Sequence, residues 1–354
     1  MIIETAGKLI AVRINLFIMA YGNRRTFLKS AGSIAGASIF TGCLGGMSGG
    51  DGEFPSEELV LINPYPPGGS TDIYFGQFID PLSEVLGVNV RQEYVSGAGS
   101  ANAMRQIANT DNHHRLTWQD IPIQTILQFD LEDPGFDIRD QVGIADVATL
   151  STNIFVKSGS DYSDFEDLRA AYKNGEISSI GGIGTGSSWH WATWLMKQQW
   201  DLQWEEYIAY DGGGPLKSAV LSGEIDAGII LGVAITDFVA EGQVDVIMTV
   251  GSESPKSLPV TVDTPEKFGL DATDVRAAGG ELAQTIWGAP VMTDDEAKIL
   301  EDAFMEVMNM DEVQEWADEA GRIIDPNTGD AIEKRLEESF ELEEAYREFQ
   351  SQID

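Results

Sequence analysis

Residues 57–63 read EELVLIN, and Pro64-Tyr65-Pro66-Pro67-Gly68-Gly69-Ser70-Thr71-Asp72 follows directly. The first stretch predicts a short strand and the second a turn-rich loop. Phe75, Phe78, Ile79, Leu82, Val85 and Leu86 then recur at helical spacing, and Gly87 stands where a helix commonly stops. The order returns at once: a strand over 88–95, the loop Ser96-Gly97-Ala98-Gly99-Ser100, and a helix over 101–109. Strand, glycine-rich loop and helix, twice in succession, predict an α/β sheet.

The pattern persists downstream. Residues 144–156 are strand-like and 164–174 helical. A strand over 178–183 leads into Gly184-Thr185-Gly186-Ser187-Ser188 and a helix over 189–199. Strands over 207–210, 227–231 and 244–250 follow. Asp211-Gly212-Gly213-Gly214 opens a helix with Pro215 in its first turn. Thr293 and Glu296 form a capping box ahead of the stripe Ile299, Leu300, Ala303, Phe304, Val307 and Met308.

The chain has 354 residues, 43% of them hydrophobic, enough for two ordinary domains. Lys and Arg total 22 against 58 Asp and Glu, a net charge of −36. A surface this acidic repels phosphate backbones and anionic membranes, which excludes nucleic acid as a partner. The acids are spread along the chain among apolar residues, as expected of a protein adapted to molar salt, where screening shrinks to about 3 Å. One cysteine, Cys43, excludes an internal disulfide and a Cys-rich metal site. No cofactor or metal is expected: His113 and His114 are adjacent and lack evident partner ligands.

The N-terminal part reads as an address. Asn23-Arg24-Arg25-Thr26-Phe27-Leu28-Lys29 is a twin-arginine pattern, the weakly apolar residues 30–40 are too short to span a bilayer, and Phe40-Thr41-Gly42-Cys43 looks like a lipobox. A Gly-rich tether follows over 44–53. Residues 1–18 fit badly in front of this signal and read as an overextended gene start. The expectation is export in the folded state and lipid attachment at Cys43, which holds the protein on the outer face of the cell membrane.

Four Gly/Ser/Thr loops, over 66–72, 96–100, 184–188 and 211–214, each follow a strand and open a helix. Helix N-termini present free N–H groups, so several of them converging suit an anion such as a carboxylate. An exported hydrolase is the disfavoured alternative. Ser188 and His190 are two residues apart and do not face each other on a helix, and no Gly-x-Ser-x-Gly elbow occurs. Trp191 and Trp194 are expected in the core, and Trp189 is expected to line the cleft.

The loop 64–72 resembles the signature loop of the tripartite tricarboxylate transporter substrate-binding proteins. Leu82-Ser83-Glu84-Val85-Leu86-Gly87, Gly97-Ala98-Gly99, residues 184–190, 207–213 and 221–227, and Trp287-Gly288-Ala289-Pro290 agree in order. With the twin-arginine lipobox, the chain resembles the haloarchaeal lipoprotein type. The resemblance implies a type II periplasmic-binding-protein-like α/β fold, with two lobes, each a mixed sheet flanked by helices, and a hinge between. Lobe 1 comprises 54–150 and 251–354, lobe 2 comprises 151–250, and the chain crosses near 149–155 and 248–254.

The implied role is a single-copy receptor that delivers a small organic acid to a membrane permease. A ligand sensor for a membrane kinase is the second reading. The resemblance places the ligand carboxylate against Ser70, Thr71, Asp72, Gly97, Ala98, Gly99, Ser187 and Ser188, with Tyr65, Gly69, Thr185 and Trp189 in the same loops. Asp72 either caps N–H groups of its loop or accepts from a ligand hydroxyl or amine. Asp211 stands where the family commonly has Lys, and a carboxylate there disfavours ligands with several carboxylates, citrate included.

Overall fold

A sixteen-residue strand, β4 (Val142–Lys157), holds the molecule together, and its side chains are buried along most of its length. In the computed structural model, which describes residues 54–353, every other strand belongs to one of two half-sheets that meet on it. The twin-arginine segment, Cys43 and the tether lie outside the described residues.

The first half-sheet contains β1 (Leu59–Asn63), β2 (Val90–Tyr94), β3 (Arg115–Ile121), β9 (Glu281–Gly288) and the short β10 (Asn327–Thr328). The second contains β5 (Ser179–Ile183), β6 (Glu206–Tyr210), β7 (Ala227–Leu231) and β8 (Val244–Thr249). The strand order is β2-β1-β3-β9-β4-β7-β5-β6, with β8 and β10 also on β4. Strands β1–β3 are mutually parallel, β9 runs antiparallel to β3, and β4 runs antiparallel to β9, β7 and β8. The sheet is therefore mixed, as expected of an α/β fold with helices on both faces.

One face of the first half-sheet is covered by α1 (Ser70–Leu86), α8 (Asp294–Met308) and α9 (Asp311–Glu319), which bury Phe75, Phe78, Leu82, Leu300 and Phe304 against Leu61 and Trp118. Gly87 ends α1 in the left-handed conformation, and the capping box of Thr293 and Glu296 opens α8. The other face carries α2 (Ala101–Ala108), α3 (Ile123–Asp130) and α10 (Gly329–Glu341), through Met104, Ile332 and Leu336. On the second half-sheet lie α4 (Phe165–Asn174), α5 (Ser188–Gln199), α6 (Gly213–Ser222) and the short α7 (Thr236–Ala240). Trp191 and Trp194 of α5 are core residues. Among the described residues no helix is long and apolar enough to cross a membrane.

Two segments of 251–354 pack beside α5, in a core that also takes in Ile126 and Phe129 of the first half. Ala272, Val275 and Ala278 pack in the same core as Trp191 and Trp194. So do Tyr346 and Phe349 of the last helix, α11 (Glu343–Ile353). The cause is the indole-rich face of α5, which needs more apolar cover than its own half-sheet supplies. Residues 112–114 lead into β3. His113 there contacts Glu296 at 2.8 Å, and His114 accepts from the Ser56 N–H.

Gly279 marks the junction of the halves. Its φ is +141°, and a Cβ there would stand 2.6 Å from the Ser188 carbonyl oxygen. Gly279→Ala is expected to lower stability by roughly 1–3 kcal/mol, read by denaturant unfolding in high salt. An unchanged midpoint would show that the junction relaxes freely.

Candidate functional site

The signature loop leaves β1 at Asn63, whose Oδ1 accepts from the Tyr65 N–H at 3.0 Å. Gly69 precedes α1 and supplies no side-chain cap. The Ser70 hydroxyl accepts from Arg322 at 3.0 Å. The Arg322 guanidinium lies 5.9 Å from the centroid of the Tyr74 ring and has no ion-pair partner among the described residues. Thr71 is buried. Asp72 faces its own loop and β2: it accepts from the Gly68 N–H at 2.8 Å, from Gln92 at 2.7 Å, and from the Tyr94 hydroxyl. Those hydrogen bonds, Tyr94 first, hold its carboxyl below the usual range. Asp72 thus fastens the loop.

Gly97, Ala98, Gly99 and Ser100 are four consecutive residues with positive φ, at 113°, 50°, 59° and 78°. Only glycine adopts that region at no cost, so Ala98 and Ser100 hold strain. A buried amide chain braces the turn: Gln124 donates to the Ser100 hydroxyl at 2.5 Å and also bonds Gln119 at 2.5 Å.

In the second half, Ser187 caps α5. Its hydroxyl donates to Ile183 O at 2.7 Å and accepts from the His190 N–H at 3.2 Å. Thr185 lies in the turn just before. Ser188 is buried beside Gly279. Trp189 is half-buried and donates its indole N–H to Thr152 at 3.2 Å, while Thr152 donates to Gly279 O at 2.9 Å. His190 stacks on Tyr207, with ring centroids 3.8 Å apart, and accepts from the Gly186 N–H. Burial pushes its imidazole down to about 4, so it is neutral and structural at ordinary pH. Asp211 is exposed and follows directly on β6.

The pairing register joins these pieces. Asp120 opposes Gln284, Gln284 opposes Ala148, and Leu282 opposes Leu150. Asp120, Gln284, Leu282, Leu150 and Thr152 therefore share one face. This is the face of Leu61 and Trp118, and Asn63 follows Leu61 on it by two residues. The result is a stripe from Asn63 and Tyr65, through Asp120 and Gln284, to Thr152, Trp189 and Ser188. Tyr65 donates its hydroxyl to Asp120 at 2.8 Å, and the Trp118 indole donates to the same carboxylate at 2.9 Å. The buried Asn63 Nδ2 and Gln284 Oε1 have no hydrogen-bond partner among the described residues.

Sequence reasoning missed Asn63, Asp120, Gln284 and Arg322. Asn63, a polar residue ending an otherwise apolar strand, was the one available signal. The opposite face holds a cavity of about 350 Å³ beside Pro122, Arg276, Glu281 and Arg335. Its guanidinium groups are already matched, Arg335 by Asp146 and Glu281 and Arg276 by Glu266.

With this geometry in hand, the comparisons are specific. Residues 75–336 match the family model described as the tripartite tricarboxylate transporter family receptor, TctC, and the chain belongs to that family. A protein from the gbd 5′ region of Cupriavidus necator is 25% identical over 300 residues, covering 82% of this chain and 87% of its own length. One from the tcbD–tcbE intergenic region of Pseudomonas sp. strain P51 is 26% identical over 175 residues, 49% of this chain and 52% of that protein, so the match spans about half of that relative.

A ligand-free TctC solute-binding protein from Polaromonas superposes with a TM-score of 0.75 at 18% identity, covering 84% of this chain and 99% of that one. MatC from Rhodopseudomonas palustris with bound malate gives 0.58 at 16%, covering 83% and 99%. Another R. palustris protein, with adipate, gives 0.60 at 15%, covering 84% and 98%. At these identities the structural neighbours establish the fold: a mixed sheet flanked by helices, of the periplasmic-binding-protein kind.

Burial raises the Asp120 carboxyl from 3.8 to about 6, against the two hydrogen bonds it accepts. Because the folded value lies above the unfolded one, the stability from its proton is full below pH 4 and is lost as pH rises through 6. Asp120→Asn is expected to gain on the native protein between pH 4 and pH 7, on the order of 2 kcal/mol. Unfolding midpoints at several pH values measure this, and a pH-independent difference would contradict it.

Proposed function

We propose that the protein is an extracytoplasmic receptor that captures a small organic carboxylate and delivers it to the membrane permease of a tripartite tricarboxylate-type transporter. One observation carries the reading beyond family membership. In a chain of net charge −36, the Arg322 guanidinium, which pairs with no carboxylate among the described residues, sits on Ser70 at the start of α1. An anion is the partner that this arrangement lacks. The carboxylate lies between residues 68–72 and 97–99 on one side and 185–189 on the other, and the two halves close about the middle of β4. Arg322, Ser70 and Ser188 touch it; Asp72 and Ser187 hold their loops; the protein acts as a monomer.

Losing one hydrogen bond to a bound carboxylate costs about 1.5–3 kcal/mol, so Ser70→Ala and Ser188→Ala are each expected to weaken binding roughly ten- to a hundred-fold. Calorimetry with mono-, di- and tricarboxylates in molar KCl reads this. Adaptation to molar salt is part of the proposal, so binding is expected to vanish on dialysis to millimolar salt and to return with KCl. A protein that binds no carboxylate in molar salt overturns the reading.

The address is read from residues 23–43: twin-arginine export, then lipid attachment at Cys43. Cys43→Ser is expected to move the exported protein from the membrane fraction to the medium, as followed by fractionation and immunoblotting. Unchanged membrane partition would refute the anchor.

A further inference from the structure

We infer that Gln124 is a positioning residue for ligand binding: through Ser100 it holds the turn 97–100 in the left-handed form that aims its N–H groups at the carboxylate. This role rests on the carboxylate-receptor reading and adds to it a residue that touches no ligand.

Gln124 stands in the first turn of α3 and is fully buried, as are Gln119 and Thr117 of β3. Their side chains form one hydrogen-bonded chain. The Thr117 hydroxyl meets Ile62 O at 3.2 Å and the Gln119 amide at 3.2 Å. Gln119 and Gln124 bond each other at 2.5 Å, and Gln124 meets the Ser100 hydroxyl at 2.5 Å. That hydroxyl donates onward to Gly99 O. The chain thus runs from Ile62, at the root of the signature loop, to Gly99 in the second ligand loop. A hydroxyl stands at each end, and a hydroxyl both donates and accepts, so the chain closes with either orientation of the two amides.

The turn needs this brace. Ala98 and Ser100 have φ of 50° and 78°, values that a residue with a Cβ keeps only where its surroundings fix it. Asn102 closes the turn on its other side, by donating to Ser96 O at 3.1 Å. The amide at 124 is costly where it stands: its Oε1 has no hydrogen-bond partner among the described residues. An apolar side chain of the same shape would avoid that cost, so what the amide supplies is its hold on Ser100. Without that hold the Ser100 backbone relaxes towards negative φ, and the N–H groups of 97–99 turn away from the carboxylate.

The test is calorimetry in molar KCl with propionate, succinate and citrate. The acid that the native protein binds best is carried through the variants, and a melting curve in the same salt verifies each fold. Gln124→Met, close in volume, is expected to weaken binding at least about ten-fold. Adding Ser100→Gly removes the need for a brace, since glycine takes the left-handed form at no steric cost. The double variant is expected to bind within about three-fold of the native protein. A purely structural role gives no such recovery, because the second change returns nothing to the packing of α3. Where Gln124→Met does not fold, Gln119→Met breaks the chain one link away, with the same loss and recovery expected. Native-like binding by the folded variant overturns this inference and leaves the receptor reading standing. A loss that Ser100→Gly fails to recover does the same. A native protein that binds none of the three acids overturns both.

Discussion

The fold depends on a single constraint: β4 must satisfy two half-sheets at once. Its first part pairs with β9 and touches β10, and its second part pairs with β7 and β8. A strand flanked on both sides has no spare backbone hydrogen bonds, and its side chains have no route to water, which explains the near-continuous burial from Ile144 to Val156. Two register shifts against β9, near Ala145 and Ala148, bend the strand within the first half before it enters the second. Everything that must approach from the two halves is therefore positioned by one continuous backbone. Gly279, tight against Ser188, is where the second half leans on it.

The site exploits that arrangement by keeping polar side chains in places where apolar ones would be more stable. Asp120, Gln284, Asn63 and Thr152 stand among Trp118, Leu61 and Ile286, in surroundings that penalise any group left without a partner. Where the partner exists, the group stiffens its loop: Asp72 binds the signature loop to β2, Ser187 closes the start of α5, and Gln124 braces the left-handed turn at 97–100. Where it does not, as at Asn63 Nδ2 and Gln284 Oε1, the amide stays buried with no partner among the described residues. The rigid loops and the open amides are thus two results of the same buried polarity.

That polarity also explains what the sequence concealed. The strands β1, β5 and β7 and the helices α1 and α8 were legible because their apolar residues repeat cleanly and their caps are marked by Gly87, Thr293 and Glu296. Strands β3 and β9 read RLTWQDI and ELAQTIWG, with polar residues at positions that the structure buries. The residues that make the site disguise the strands that carry them. The loops of the site were legible as glycine-rich turns, but the directions of their side chains were not. Asp72 turns to β2 and Asp211 to solvent, and neither follows from spacing. Arg322 comes from a segment 252 residues away from Ser70. The packing of the last helix was not legible because the indoles of α5 are partnered only in three dimensions.

The contact between α5 and α11 bears on how the chain is born. Trp194 bonds Gln352, 158 residues later, and Trp191 packs edge-on against Tyr346. At roughly 5–20 residues per second of synthesis, the aromatic face of α5 waits about ten to thirty seconds for its cover. During that interval the ribosome presents a bare tryptophan surface, and a nascent-chain chaperone has a defined stretch to shield. Completion of this half therefore waits for the synthesis of the helix Glu343–Ile353.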